Sequence, residues 1–146
     1  MELKVKEFDE LTTRELYNIL KARALVFQLE ENIRYLDMDG KDYESLHCFI
    51  EKDGETVAYM RAYTTDTSGV IQLGRVLTVL RGQGLGKRLL TESIPILKNR
   101  LEFELIRLDS QEHAVGFYKR LGFTVCSETF LEEGIPHVKM ELRVKE

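Results

Sequence analysis

The segment Thr78–Leu90, "TVLRGQGLGKRLL", sets Gly82, Gly84 and Gly86 between an apolar run and an amphipathic one. Glycine loses more conformational entropy on folding than any other residue, and inside a helix it is about 1 kcal/mol worse than alanine. Such a cluster at a strand-to-helix junction marks a backbone with a special task. A dinucleotide fingerprint needs G-x-G-x-x-G, and here Lys87 stands where the third glycine belongs. A P-loop needs Gly-Lys followed by Ser or Thr, and here Arg88 follows Gly86-Lys87. What remains is R-x-x-G-x-G, Arg81 to Gly86, opening a helix. The first helical turn offers unpaired N–H groups and the positive end of the dipole, and glycines let a diphosphate approach those amides. Arg81, Lys87 and Arg88 add positive charge. In a chain of formal net charge -4 this is a local exception, and it favours an anionic ligand carrying phosphate.

Periodicity fills in the elements. "LKVKEF" alternates as an opening strand, and "LTTRELYNILKARALVF" changes to a helical period, with Thr12 and Glu15 spaced as a capping box. The acidic stretch from Gln28 to Ser45 reads as a loop. "LHCFIEKDGETVAYMRAYT" is a hairpin turning at Asp53-Gly54. "GVIQLGRVLTVL" is a strand with Gly74 as a bulge or point of close approach. A helix over Gly84 to Arg100 follows, kinked or shortened by Pro95. "FELIRLDS" is a strand, "QEHAVGFYKRLGF" a short helix ended by Gly122, and the chain closes in a hairpin turning near Glu133-Gly134. Antiparallel runs with helices between them predict one α+β domain over residues 1–146.

The glycine motif resembles the acetyl-CoA-binding motif of the GNAT (Gcn5-related N-acetyltransferase) superfamily: a strand like "LTV", a turn, then Q/R-x-x-G-x-G/A opening a helix. That superfamily also shows N-x-x-A-x-x-x-Y-x-x-x-G-F after its next strand, and "QEHAVGFYKRLGF" supplies Ala114, Tyr118, Gly122 and Phe123 at that spacing. "RALVFQLEENIRYLDMDGKD" and "EEGIPHVKM" are similar to the ElaA branch, with its R-x-x-V-F, D-G-K-D and G-I-P-H segments. The resemblance implies a GNAT-like fold, a central, mostly antiparallel mixed sheet of about seven strands flanked by helices. It implies an N-acetyltransferase that moves an acetyl group from acetyl-CoA to a primary amine of a small molecule or protein. The CoA-binding residues it implies are Leu77, Thr78, Val79, Arg81, Gly82, Gln83, Gly84, Leu85, Gly86, Lys87, Gln111 and Tyr118. Two departures stand out: Leu80 alone separates Val79 from Arg81, and Gln111 stands where the family has Asn.

By the same resemblance Tyr118 is the acid that protonates the leaving thiolate; its alternative is a packed Tyr on a short helix. Glu30, Glu31, His113 and His137 are open as the base. His113, five residues before Tyr118, would point about 140° away on one continuous helix. Arg23, Glu30, Arg75 and His137 are the candidates for the acceptor side, with Arg23 either pairing with an acid of the loop Asp37–Asp42 or lining the cleft. That loop reads as a solvated turn or a collar for a cationic substrate; it lacks the length and final Glu of a calcium site. No metal is expected. Cys48 and Cys126 read as reduced, half-buried small hydrophobes, and His47 as packing. The acidic balance gives no support to a nucleic-acid partner. The charged N-terminus and the lack of a long apolar stretch predict a cytoplasmic protein without membrane contact, monomeric or homodimeric. A non-catalytic acyl-CoA-binding module and an enzyme for a longer acyl chain are the rival readings.

Overall fold

Lys4 and Lys6 lean from the first strand, β1 (Glu2–Glu7), onto one carboxylate, Glu15, at 3.0 Å each. The structure, a computed structural model, describes residues 1–145. Glu15 is the third residue of α1 (Thr13–Arg23). It accepts the Thr12 N–H at 2.8 Å while its own N–H donates to Thr12 Oγ1 at 3.0 Å, the reciprocal capping box. Burial pushes the Glu15 carboxyl up, but the Thr12 amide and the two lysines outweigh it and hold it at about 2. A folded value below the ordinary 4.5 stabilises the fold above that pH, and the contribution is lost as pH falls from 4.5 towards 2. Glu15→Gln therefore destabilises the protein near pH 7 and converges on the wild type near pH 2, read from urea midpoints at each pH. A gap independent of pH contradicts this origin.

The helix does not end near Phe27. It widens into π-helical turns over Ala24–Glu30, with the Glu31 N–H donating to Val26 O at 3.0 Å, five residues back. After a 3₁₀ turn at Lys41–Glu44 come β2 (Leu46–Lys52), β3 (Glu55–Thr64) and β4 (Val70–Thr78). The β2–β3 turn has Asp53 and Gly54 at φ 54° and 78°, both left-handed as a two-residue hairpin turn requires. Then follow α2 (Leu85–Arg100), β5 (Leu105–Gln111), α3 (Val115–Arg120), β6 (Thr124–Val125), β7 (Phe130–Glu132) and β8 (Ile135–Arg143). The α2 helix runs through Pro95 unbroken. Gly122 (φ 99°) closes α3: its N–H donates to Lys119 O and that of Phe123 to Tyr118 O, the paired bonds of a Schellman ending.

One sheet of eight strands, rather than about seven, runs in the order β1-β2-β3-β4-β5-β8-β6, with β7 also on β8. All pairs are antiparallel except β4–β5. Successive strand residues face opposite sides, so Phe49 and Tyr59 pack under Ile19, Ala22 and Val26 of the first helix. Cys48, Ile50, Ala58 and Met60 face the other way, onto Leu85, Leu89, Leu90 and Leu97 of α2 and Tyr118 of α3. Cys48 is fully buried, which pushes its thiol up to about 12, and Cys126 is exposed; neither is half-buried.

Candidate active site

The parallel strands β4 and β5 are paired only from Val70–Gln72 to Leu105–Arg107. Beyond that point each strand continues without the other as partner, and two cavities open along the gap. One, of about 160 Å³, takes its walls from Leu73–Val76 of β4, Leu108–Gln111 of β5 and the β7–β8 turn. The other, of about 750 Å³, lies between the loop before α2 and α3. Glu31, Val76, His113, Ala114 and Tyr118 line both, so the cavities meet at these residues. Opposite the gap the β3–β4 register shifts, with Tyr59 facing Leu77 but Arg61 facing Gly74. The extra residue is absorbed at Arg75, whose φ is 52°. Gly74 sits in this bulge, where an added Cβ would lie 3.7 Å from Arg61 Nε.

The Val79 N–H donates back to Val57 O at 2.8 Å, so by antiparallel alternation Thr78 turns its amide and carbonyl away from β3, towards the gap. Leu77, Thr78, Arg81, Gly82, Gln83, Gly84, Leu85, Gly86 and Lys87 all line the larger cavity; Val79 does not. The glycines divide by role. Gly82 (φ 73°) and Gly84 (φ 68°) hold left-handed backbone, with open space where a Cβ would project. Gly86 has ordinary dihedrals, and a Cβ there would stand 3.1 Å from Phe117 Cζ of α3. Two of the three glycines shape the loop and the third lets two helices meet. Because the Arg88 N–H makes the first α-helical bond, to Gly84 O at 3.0 Å, the N–H groups of Leu85, Gly86 and Lys87 have no partner within the helix. Arg81 folds back on Thr78, bonding its carbonyl and, at 2.8 Å, its hydroxyl, and reaches Glu30 at 2.6 Å. Arg120 is a further cation of this lining that the sequence did not mark.

Tyr118 is 6% exposed and lies edge-on to Phe117 and Phe123 at 5.1 and 5.6 Å. Burial raises its phenol, and its hydroxyl bonds no described residue. His113 sits on a 3₁₀ turn (Glu112–Ala114) rather than on one continuous α-helix with Tyr118, so the 140° separation does not apply and both line the same cavities. Gln111 lines the smaller cavity, not the larger, donating to Glu31 Oε1 at 2.9 Å. His137 is there too; its Nδ1 bonds Ile135 O at 2.7 Å. His47 is buried between Tyr59 Oη, at 2.6 Å from Nδ1, and Asp42 O.

The acidic loop is not a solvated turn. Arg23, 1% exposed, donates from Nε to Asp37 at 2.7 Å and from Nη1 to Asp42 at 2.8 Å. Arg61, 2% exposed, donates to Asp39 at 2.6 and 2.8 Å and to Asp42 at 3.0 Å. Arg75 donates from Nε to Asp37 at 2.8 Å. Arg61 draws the Asp39 carboxyl below its usual range, against burial; at Asp42 burial opposes Arg23 and Arg61, and the arginines prevail. Arg23 lies in neither cavity, and Glu30 pairs with Arg81 instead of lining the smaller one. Among the described residues no group of three or more His, Cys, Asp or Glu side chains is placed to hold a metal ion. No described helix is long and apolar enough to cross a membrane.

Comparison with known proteins gives the same frame. The family model described as "Acetyltransferase (GNAT) domain" matches residues 17–144. Protein ElaA of Escherichia coli is 33% identical over 140 residues, 92% of each chain. Its crystal structure superposes with a TM-score of 0.88 at 31% identity, covering 96% of this chain and 97% of that one. An acyl-CoA N-acyltransferase of Pseudomonas aeruginosa also reaches 0.88, at 30% identity over 97% and 99% of the chains. An aminoglycoside 6′-N-acetyltransferase solved with coenzyme A, 15% identical, shares the fold at 0.72 over 96% of each chain. The chain belongs to the GNAT acetyltransferase family, in its ElaA-like branch.

Proposed function

We propose that the protein is an N-acetyltransferase that moves an acetyl group from acetyl-CoA to a primary amine, with the donor in the larger cavity and the acceptor in the smaller one. The observation that carries this reading is the placement of Tyr118, buried and unpartnered where the two cavities join at the β4–β5 gap. The donor site fits a diphosphate. The amides of Leu85, Gly86 and Lys87 converge at a helix N-terminus, Lys87 and Arg120 stand in the lining, and the left-handed Gly82 and Gly84 keep side chains off the loop. The Thr78 N–H, turned into the gap, donates to the amide-bearing arm, while its carbonyl holds Arg81. The N–H of Val76, the β4 residue common to both cavities, polarises the thioester carbonyl.

In the reaction the neutral amine attacks the thioester carbon, a C–N bond forms, and the C–S bond breaks. Tyr118 Oη gives its proton to the departing sulfur, and the amine's proton leaves to water or a base. Burial suits Tyr118 to this: raised above its ordinary value, the phenol is protonated throughout the neutral range. Holding both reactants across the junction accounts for much of the barrier reduction, since positioning alone supplies about 7–11 kcal/mol in favourable cases.

Acetyl-CoA is expected to raise the melting temperature, and Lys87→Glu to weaken its binding roughly tenfold by placing a carboxylate against the diphosphate. A primary-amine panel should release CoA. A protein that binds acetyl-CoA yet releases none with any amine is a binding module; one that prefers a longer acyl-CoA is a different acyltransferase. Either result overturns the reading.

A further inference from the structure

The smaller cavity is walled by carboxylates that the chemistry above leaves unused. Glu31 enters it from just after the π-helical turns, Asp109 from β5, Glu132 from the end of β7 and Glu133 from the turn that follows. The cations near them offset only part of this charge. Arg75 is committed to Asp37, through its Nε to Oδ1 and its Nη2 to the carbonyl, both at 2.8 Å. Lys139 meets Asp109 at 3.4 Å from outside the lining. His137 donates from Nδ1 to Ile135 O, which leaves Nε2 facing Glu132 at 3.5 Å. Burial, and then the neighbouring Asp109, raise the Glu132 carboxyl, against the opposing pull of His137 and Lys139.

A second observation is independent of the acids. Tyr118, 6% exposed, borders the same cavity with a hydroxyl that bonds no described residue. The ring is buried while the oxygen is not sealed off, so the hydroxyl is a free donor held rigidly at the cavity, where a ligand can meet it. The cavity is narrow, about 160 Å³, and Phe27 and Ile33 give it apolar flanks. That shape suits a thin aliphatic chain.

We infer that the acceptor is a small aliphatic diamine or polyamine, its reacting amine beside Tyr118 and its second ammonium held by Asp109, Glu132 and Glu133. The inference rests on the acyl-transfer reading for the first amine only. The second ammonium is an electrostatic claim that binding alone can test. Alkyl ammonium groups titrate near 10, so a diamine carries both charges at neutral pH.

The test is calorimetric titration of the full chain with cadaverine, with pentylamine, which has the same stem and one charge, and with aminovalerate, which ends in a carboxylate. Cadaverine should bind roughly tenfold more tightly than pentylamine, and aminovalerate more weakly than either. Glu132→Gln, isosteric and at the exposed end of β7, should bring cadaverine close to pentylamine, and Glu132→Lys should reverse the order. Equal binding of cadaverine and pentylamine overturns the inference. So does a diamine preference that survives both variants, or no detectable binding of any of the three. CoA release measured alongside separates the two claims. Turnover without diamine preference overturns only the acceptor assignment, and diamine binding without release overturns only the acyl transfer.

Discussion

Arg23→Ala should cost about 3–5 kcal/mol of stability, the typical price of removing one partner from a buried ion pair. Arg23 lies 1% exposed between Asp37 and Asp42, and each of these carboxylates also serves a second arginine, Arg75 or Arg61. Truncation leaves two acids short of donors in a poorly solvated place. A domain of this size has about 5–15 kcal/mol in total, so the loss is a large share. Arg23→Met, which refills the volume without the charge, should recover less than half of the loss, because Asp37 and Asp42 still lack their partner. Urea midpoints measure both. A loss under about 1 kcal/mol for Arg23→Ala would place the network among ion pairs of surface strength. The sign of the acid limb follows from the depressed Asp39 and Asp42: their contribution is full above the ordinary Asp range and falls as pH drops through the lower folded values.

Tyr118→Phe should lower kcat about a hundredfold while acetyl-CoA affinity stays within about twofold, the signature of a lost proton donor. Phenylalanine keeps the ring between Phe117 and Phe123, so folding should be unharmed. Because the hydroxyl bonds no described residue and is not sealed from the cavity, its removal should leave the melting temperature level. Single-turnover CoA release with a saturating amine isolates the chemical step. An unchanged kcat would remove Tyr118 from proton transfer and leave it a packing residue. In the wild type, raising the pH towards 10 should not reduce kcat through Tyr118, since burial moves its ionisation higher still.

What the chain discloses on its own divides along physical lines. Local rules were readable: the capping box at Thr12 and Glu15, the left-handed turns at Asp53-Gly54 and Glu133-Gly134, and the glycine ending of α3 each depend on a few adjacent residues. The cluster Gly82–Gly84–Gly86 announced a special loop, but not that Gly86 answers to Phe117, thirty-one positions along. The ion-pair network was less legible still. Arg23, Arg61 and Arg75 come from three different elements, and acids in a turn look solvated until tertiary packing places arginines under them. The facing of His113 differs from the helical expectation because a 3₁₀ turn does not advance by 100° per residue. Glu132, Glu133 and Asp109 line one cavity only because β7 and β5 flank β8 on opposite edges, and no local pattern reports that.

The π-helical stretch over Ala24–Glu30 stores extra chain at the edge of the cleft. Each wide turn closes the same circle as an α-turn with about one residue more. Deleting a single residue there can be absorbed by tightening to α-turns, which keeps Glu31 at the junction of the two cavities and Glu30 within reach of Arg81. The same deletion within α1, where no turn is wide, would swing everything after it by about 100° around the axis. The segment tolerates in length what the regular helix before it does not.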